Sequence, residues 1–192
     1  PAPVPPPREG HTFVGWFADA ALTTQWDFAS STMPASAITL YAQWSINSYP
    51  VTFESNGGSA VPEQSVAYDT LVSEPDAPSR EGHTFTGWYA DAALTVPWDF
   101  TADAVPASAI TLYASWSINS YPVTFDVNGG STVPGRTLVY GSLVSRPEDP
   151  TREGYTFAGW FADAAFTVPW NFAADTVPGS PLVLHAKWSV NS

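Results

Sequence analysis

Histidine is the side chain best suited to proton transfer or metal ligation near neutral pH, and this chain has three: His11, His83 and His185. His11 and His83 stand 72 residues apart, but 72 residues further on the chain has Tyr155, and His185 aligns in the same way with Tyr41 and Tyr113. A metal ligand or general base replaced by a phenol in a sister copy loses its site, whereas an amphipathic ring on a half-exposed strand tolerates the exchange. With no cysteine, disulfides, thiolate metal sites and thiol nucleophiles are excluded. Asp19, Asp91 and Asp163 recur within an Ala-Asp-Ala-Ala stretch, and Asp27 and Asp99 follow a tryptophan where the third copy has Asn171. A calcium site needs six to eight oxygen donors at close range. No loop here alternates aspartates to supply them, so these side chains read as turn caps. A paired-carboxylate hydrolase repeated in series is a poor alternative. No catalytic, metal or cofactor residue is assigned, and no cofactor is expected. Lys187, the single lysine, aligns with Gln43 and Ser115, which rules out a repeating lysine–asparagine crosslink.

Nine tryptophans could instead stack on sugar rings. Their spacing argues mostly for a core. Trp116 is in phase with Ile110, Leu112 and Ala114, and Trp98 shares a face with Phe100. Trp88 is out of phase with Phe85, so Trp88 and its counterparts Trp16 and Trp160 are the rings expected at the surface and the candidate ligand contacts.

The elements that must carry these residues form a repeat. Trp16, Trp26 and Trp44 recur as Trp88, Trp98 and Trp116 and again as Trp160, Trp170 and Trp188, each time offset by 72. Such self-similarity means a string of equivalent structural units. Tyr49-Pro50-Val51-Thr52-Phe53 returns as Tyr121-Pro122-Val123-Thr124-Phe125, which gives complete units at 49–120 and 121–192. Residues 1–48 match only the later part of a unit, and the preceding hairpin is missing from them. The expectation is a fragment of a longer array, whose first unit is poorly packed or completed by a segment from elsewhere.

Within one unit, Tyr49, Val51 and Phe53 alternate with Pro50 and Thr52 as in a strand. Asn56-Gly57-Gly58 supplies positive φ for a hairpin, and apolar residues resume over Gln64–Val72. Pro75 and Pro78 interrupt regular structure. His83–Tyr89 is strand-like, with Gly87 suggesting a bulge; Ala90–Leu94 suits a short helical turn; Ile110–Trp116 alternates clearly. Each unit is therefore mostly β, at most α+β. A unit this small is near the lower limit for independent folding, and its aromatic residues supply the buried area that its length hardly provides.

The charge of −12 comes from 18 acids against 6 bases, which argues against nucleic-acid binding and anionic membrane surfaces. No window is long and apolar enough for a bilayer-spanning helix, and Pro1–Pro7 lacks the basic and apolar regions of a signal peptide.

Tyr-Pro-Val-Thr-Phe, then Asn-Gly-Gly, then Arg-Glu-Gly-His-Thr-Phe-Thr-Gly-Trp-Tyr-Ala-Asp and finally Ile-Thr-Leu-Tyr-Ala-Ser-Trp resemble the internalin B-repeat, or Listeria-Bacteroides repeat. The resemblance covers residues 49–120 and 121–192 throughout and residues 1–48 in part. It implies tandem small β-grasp-like (ubiquitin- or SUMO-like) domains arranged as an elongated rod. It also implies an extracellular or wall-attached position on a bacterial surface protein, often an adhesin, and a stalk or adhesive role without catalysis. The partners it suggests are a host receptor, a glycan or neighbouring copies, with strand complementation between chains as a weaker possibility.

Overall fold

The structure, a computed structural model, describes residues 2–192. Ten strands form among them: β1 His11–Phe17, β2 Tyr41–Ile46, β3 Ser48–Glu54, β4 Gln64–Ala67, β5 His83–Tyr89, β6 Ile110–Ile118, β7 Ser120–Asp126, β8 Arg136–Val139, β9 Tyr155–Phe161 and β10 Leu182–Val190. No helix forms among the described residues. The protein is a tandem series of small β sheets: β1-β2, then β4-β3-β6-β5, then β8-β7-β10-β9.

Alternation dictates the hairpins. Along β3 and β7 the apolar positions Val51, Phe53, Val123 and Phe125 are buried while Pro50, Thr52, Pro122 and Thr124 point outward, so each proline takes a place where its missing N–H is harmless. Asn56 (φ 50°) and Gly57 (φ 86°) take left-handed backbone in the turn. The Asn56 amide donates to the Ala114 carbonyl at 2.7 Å, as Asn128 does to Ala186 at 2.8 Å. β4 pairs antiparallel with β3 from Ser48↔Ala67 to Val51↔Gln64. It ends sooner than the apolar run to Val72 suggests, because Asp69 turns the chain at φ 58°, where the next unit has Gly141 at φ 74°. The last strand of each unit returns parallel to the first, Val51↔Ile110 to Glu54↔Tyr113 and Val123↔Leu182 to Asp126↔His185. Being flanked on both sides, it carries the most deeply buried residues: Leu112, Ala114, Leu184 and Ala186 are all 0% exposed.

Two compact units partition the chain through the middle repeat: Pro1–Asn56, Ala60–Asp76 and Gly87–Ser115 form one, and Gly57–Ser59, Ala77–Thr86 and Trp116–Ser192 the other. Each contains the same joint between consecutive repeats. In the first, the Asn47 N–H donates to the Gly10 carbonyl at 2.8 Å and the Tyr68 N–H to the Asn47 carbonyl at 2.8 Å. In the second, Asn119 and Tyr140 repeat the pattern on Gly82 at 2.8 and 2.9 Å. Tyr68 and Tyr140 lie so close to these glycines that a Cβ there would overlap the phenol ring. Each ring also meets a histidine edge-on, His11 at 6.0 Å and His83 at 5.9 Å.

Two local expectations are corrected. Ala90–Leu94 is a turn, not helical: Leu94 sits at φ 56°, as do Leu22 and Phe166, a left-handed conformation that stops a helix from starting. The expected exposure of Trp88 and Trp160 is also overturned, since each is only 3% exposed. The reason is a bulge. β9 and β10 pair Phe157↔Trp188 and then Gly159↔Lys187, and β1 and β2 shift register between Phe13 and Gly15. One extra residue brings side chains three apart onto one face, so Phe157 and Trp160 meet edge-to-face at 5.5 Å.

Candidate functional site

The three tryptophans expected to contact a ligand are not equivalent. Trp88 packs against Phe53 with ring centroids 5.0 Å apart, and Trp160 against Phe125 at the same distance. In both, a phenylalanine on the unit's first strand closes the core over the indole. Trp16 has no such cover and is half-buried. Its ring touches Phe13 at 5.6 Å, and its indole N–H reaches the Pro3 carbonyl at 3.4 Å, a long hydrogen bond. Beside it lies an open cavity of about 880 Å³ lined chiefly by Phe13, Trp16, Trp26, Phe28, Pro3 and Pro5. An apolar concavity with few polar groups is the usual form of a binding site, and this one leaves an aromatic cluster open to solvent.

Other partly exposed apolar positions in residues 1–48 escaped the sequence reading residue by residue. Leu40 and Ala42 are half-buried where Leu112 and Ala114 are sealed. Met33 is 72% exposed where Val105 is 1% exposed. Comparing each apolar position with its counterpart 72 residues on would have found them, because an apolar residue kept at a core position in a unit without a lid must face solvent.

The carboxylates hold their own loops. The Asp91 carboxylate accepts from the backbone N–H groups of Thr95 and Val96 at 3.0 and 2.8 Å and from the Thr95 hydroxyl at 2.8 Å. Asp19 and Asp163 do the same in their units. These bonds, led by the backbone N–H of Val96 for Asp91, Thr23 for Asp19 and Val168 for Asp163, favour the charged form and lower the three pKa values below the ordinary carboxylate value. Asp99 is lowered chiefly by the Thr101 hydroxyl. Asn171 does the same structural work without charge, accepting from the Ala173 N–H at 3.0 Å. His185 sits 3.1 Å from Asp126 on the rim of β10, and Lys187 lies over Phe161 at 5.0 Å. Among the described residues, no three histidine, aspartate or glutamate side chains converge on a point that could hold a metal ion.

The model of the Listeria-Bacteroides repeat domain matches residues 1–43, 49–115 and 121–187. The chain belongs to the Listeria-Bacteroides repeat family. It is 48% identical over 189 residues to a protein of Evansella cellulosilytica that carries the provisional name Gly-rich membrane protein, and 46% identical over 190 residues to a second membrane protein, also provisionally named, of that organism. It is 37% identical over 164 residues to Internalin H of Listeria monocytogenes. The alignments cover 98%, 99% and 85% of this chain but only 22%, 28% and 29% of those proteins. The repeats here thus correspond to a minor part of each relative's length.

Proposed function

We propose that these repeats form a non-enzymatic spacer on the bacterial surface, which holds a recognition element away from the cell envelope. The observation that carries this reading is the burial of Trp88 and Trp160: the residue type best able to bind a ligand is used, in both complete repeats, to build a core. Further support comes from the aspartates, which are spent on turns, from the joint repeated between consecutive copies, and from the names of the relatives, two membrane proteins and an internalin. Acidic excess differs between copies, −8 over residues 49–120 against −2 over residues 121–192. Variable surface charge over a constant core suits a spacer, and mutual repulsion keeps an acidic array soluble.

The test is a reach assay. A recognition domain of known ligand is displayed on bacteria above none, one or two copies of residues 49–120, and capture by ligand held behind a polymer brush is measured. Capture that rises with copy number supports the spacer; capture independent of copy number removes it. A glycan- or receptor-binding role, including weak multivalent adhesion, is favoured by one observation only, the half-exposed Trp16 beside its cavity. Saturable glycan-array binding abolished by Trp16→Ala would establish that second reading.

A further inference from the structure

We propose that each complete repeat is a load-bearing element, in which the parallel pair of its first and last strands resists tension applied along the chain. The inference rests on the spacer reading, because a tether between a cell and whatever it holds is pulled from both ends. Direction carries the argument. β7 is the first strand of its repeat and β10 the last, and the two run side by side and parallel, from Val123↔Leu182 to Asp126↔His185. Tension reaches β7 through its N-terminal end and β10 through its C-terminal end. In a parallel pair those ends lie at opposite ends of the ladder, so the strands are drawn past each other along their own axes. The evenly spaced bonds of a parallel pair are then strained together, whereas a pull on ends at the same side would open them one at a time. β3 and β6 have the same arrangement, from Val51↔Ile110 to Glu54↔Tyr113.

The side chains shield and lengthen this ladder. Val123, Phe125, Leu182 and Leu184 are buried, so the bonds between the two strands sit in a low-dielectric setting where each is stronger and water has little access to replace one that is stretched. Past the paired residues, the Asn128 amide donates to the Ala186 carbonyl at 2.8 Å and the Trp188 indole N–H to the Val127 carbonyl at 3.0 Å. The His185 Nδ1 lies 3.1 Å from an Asp126 carboxylate oxygen across the same pair. Cross-links therefore continue from Val123 to Asn128 on one side and from Leu182 to Trp188 on the other. The Asn56 amide makes the corresponding bond to the Ala114 carbonyl in the middle repeat at 2.7 Å. Little slack delays the load, since Asn47 alone separates β2 from β3 and Asn119 alone separates β6 from β7.

The experiment pulls the full chain in two directions by single-molecule force spectroscopy at one loading rate. The chain has no cysteine, so a pair of introduced thiols fixes where the force enters. One variant carries Ser120→Cys and Ser192→Cys, which loads β7 and β10 from opposite ends as tension along the chain does. The other carries Ser120→Cys and Ser180→Cys, which grips both strands at the same end and opens the pair from Val123↔Leu182 onward. All three serines are exposed. Forced unfolding follows the unfolding barrier rather than equilibrium stability, so the expected unfolding force is at least about twofold higher in the first variant, with equal urea midpoints in both. Should a thiol at position 180 loosen the third repeat, the same comparison in the middle repeat decides, with Ser48→Cys joined to Ser120→Cys or to Ser108→Cys. Equal forces in the two directions, or a higher force in the second, overturn the proposal; the spacer reading then stands or falls separately, by the reach assay. A strongest event in the first variant that releases far less than roughly 200 Å, the length gained by unravelling a whole repeat, also overturns it, because another part of the sheet then bears the load.

Discussion

Replacing Trp160 by alanine separates the core reading of the tryptophans from the ligand reading. Trp160 is 3% exposed and meets Phe125 at 5.0 Å and Phe157 at 5.5 Å, both edge-to-face. Truncating a buried tryptophan typically costs about 3–5 kcal/mol, and each lost aromatic pair accounts for roughly 0.5–1.5 kcal/mol beyond the buried area. Against a total stability of about 5–15 kcal/mol for a domain, that loss unfolds most of the third repeat under mild denaturant. Trp160→Phe is milder for two reasons: it keeps an apolar ring, and it removes an indole N–H that is buried without an acceptor, a group whose burial costs about 1–3 kcal/mol. Trp16→Ala is the internal contrast. Half-exposed and lacking the phenylalanine lid, Trp16 contributes less than half as much. Urea unfolding followed by far-UV circular dichroism and by hydrogen exchange across residues 121–190 reads all three. An unchanged exchange profile in Trp160→Ala, or a larger loss in Trp16→Ala than in Trp160→Ala, refutes the reasoning.

Gly82→Ala places a Cβ into the Tyr140 ring at φ +68°, whereas Gly154→Ala, at φ +76°, meets nothing within 4 Å. Both carry backbone strain, so the overpacking cost, roughly 1–3 kcal/mol, appears as the difference between their thermal unfolding midpoints, and equal midpoints would remove the tyrosine–glycine joint. Asn128→Ala loses a half-buried hydrogen bond to Ala186 at 2.8 Å and a residue tolerant of φ 45°. Urea unfolding should show a loss of about 1–3 kcal/mol, and an unchanged midpoint would contradict the turn's role. The pKa values of Asp19, Asp91 and Asp163 are lowered in the folded state from 3.8. Their contribution to stability is therefore complete above the ordinary carboxylate range near pH 4 and is lost as pH falls below it through the folded values. Replacing all three by asparagine should flatten the acid limb of melting temperature against pH, and an unaltered limb would show that other groups control it.

What the sequence revealed and what it hid follow from the range of each signal. The repeat, the Asn-Gly-Gly hairpin and the alternation of the last strand are local patterns, and the sheets contain them. The parallel pairing of the first and last strands has no local signature, since it joins Val51 to Ile110 across the unit. Gly87 suggested a bulge, and its counterparts Gly15 and Gly159 lie at register shifts, but the consequence for the tryptophan was not drawn: a period of two carried past the extra residue assigns the ring to the wrong face. The left-handed Leu94 was hidden because its conformation is imposed by the Asp91 carboxylate binding the chain four and five residues on, not by leucine's own preference. The tyrosine–glycine joints were hidden for a related reason, as glycine there is selected by a ring from the next repeat.

The spacer claim is tested most directly by small-angle X-ray scattering on chains carrying residues 49–192 with zero, one or two further in-register copies of residues 49–120. The account predicts that the maximum dimension grows by a constant increment with each copy. A maximum dimension that stays level, or grows only as the cube root of mass as copies collapse onto one another, would contradict it.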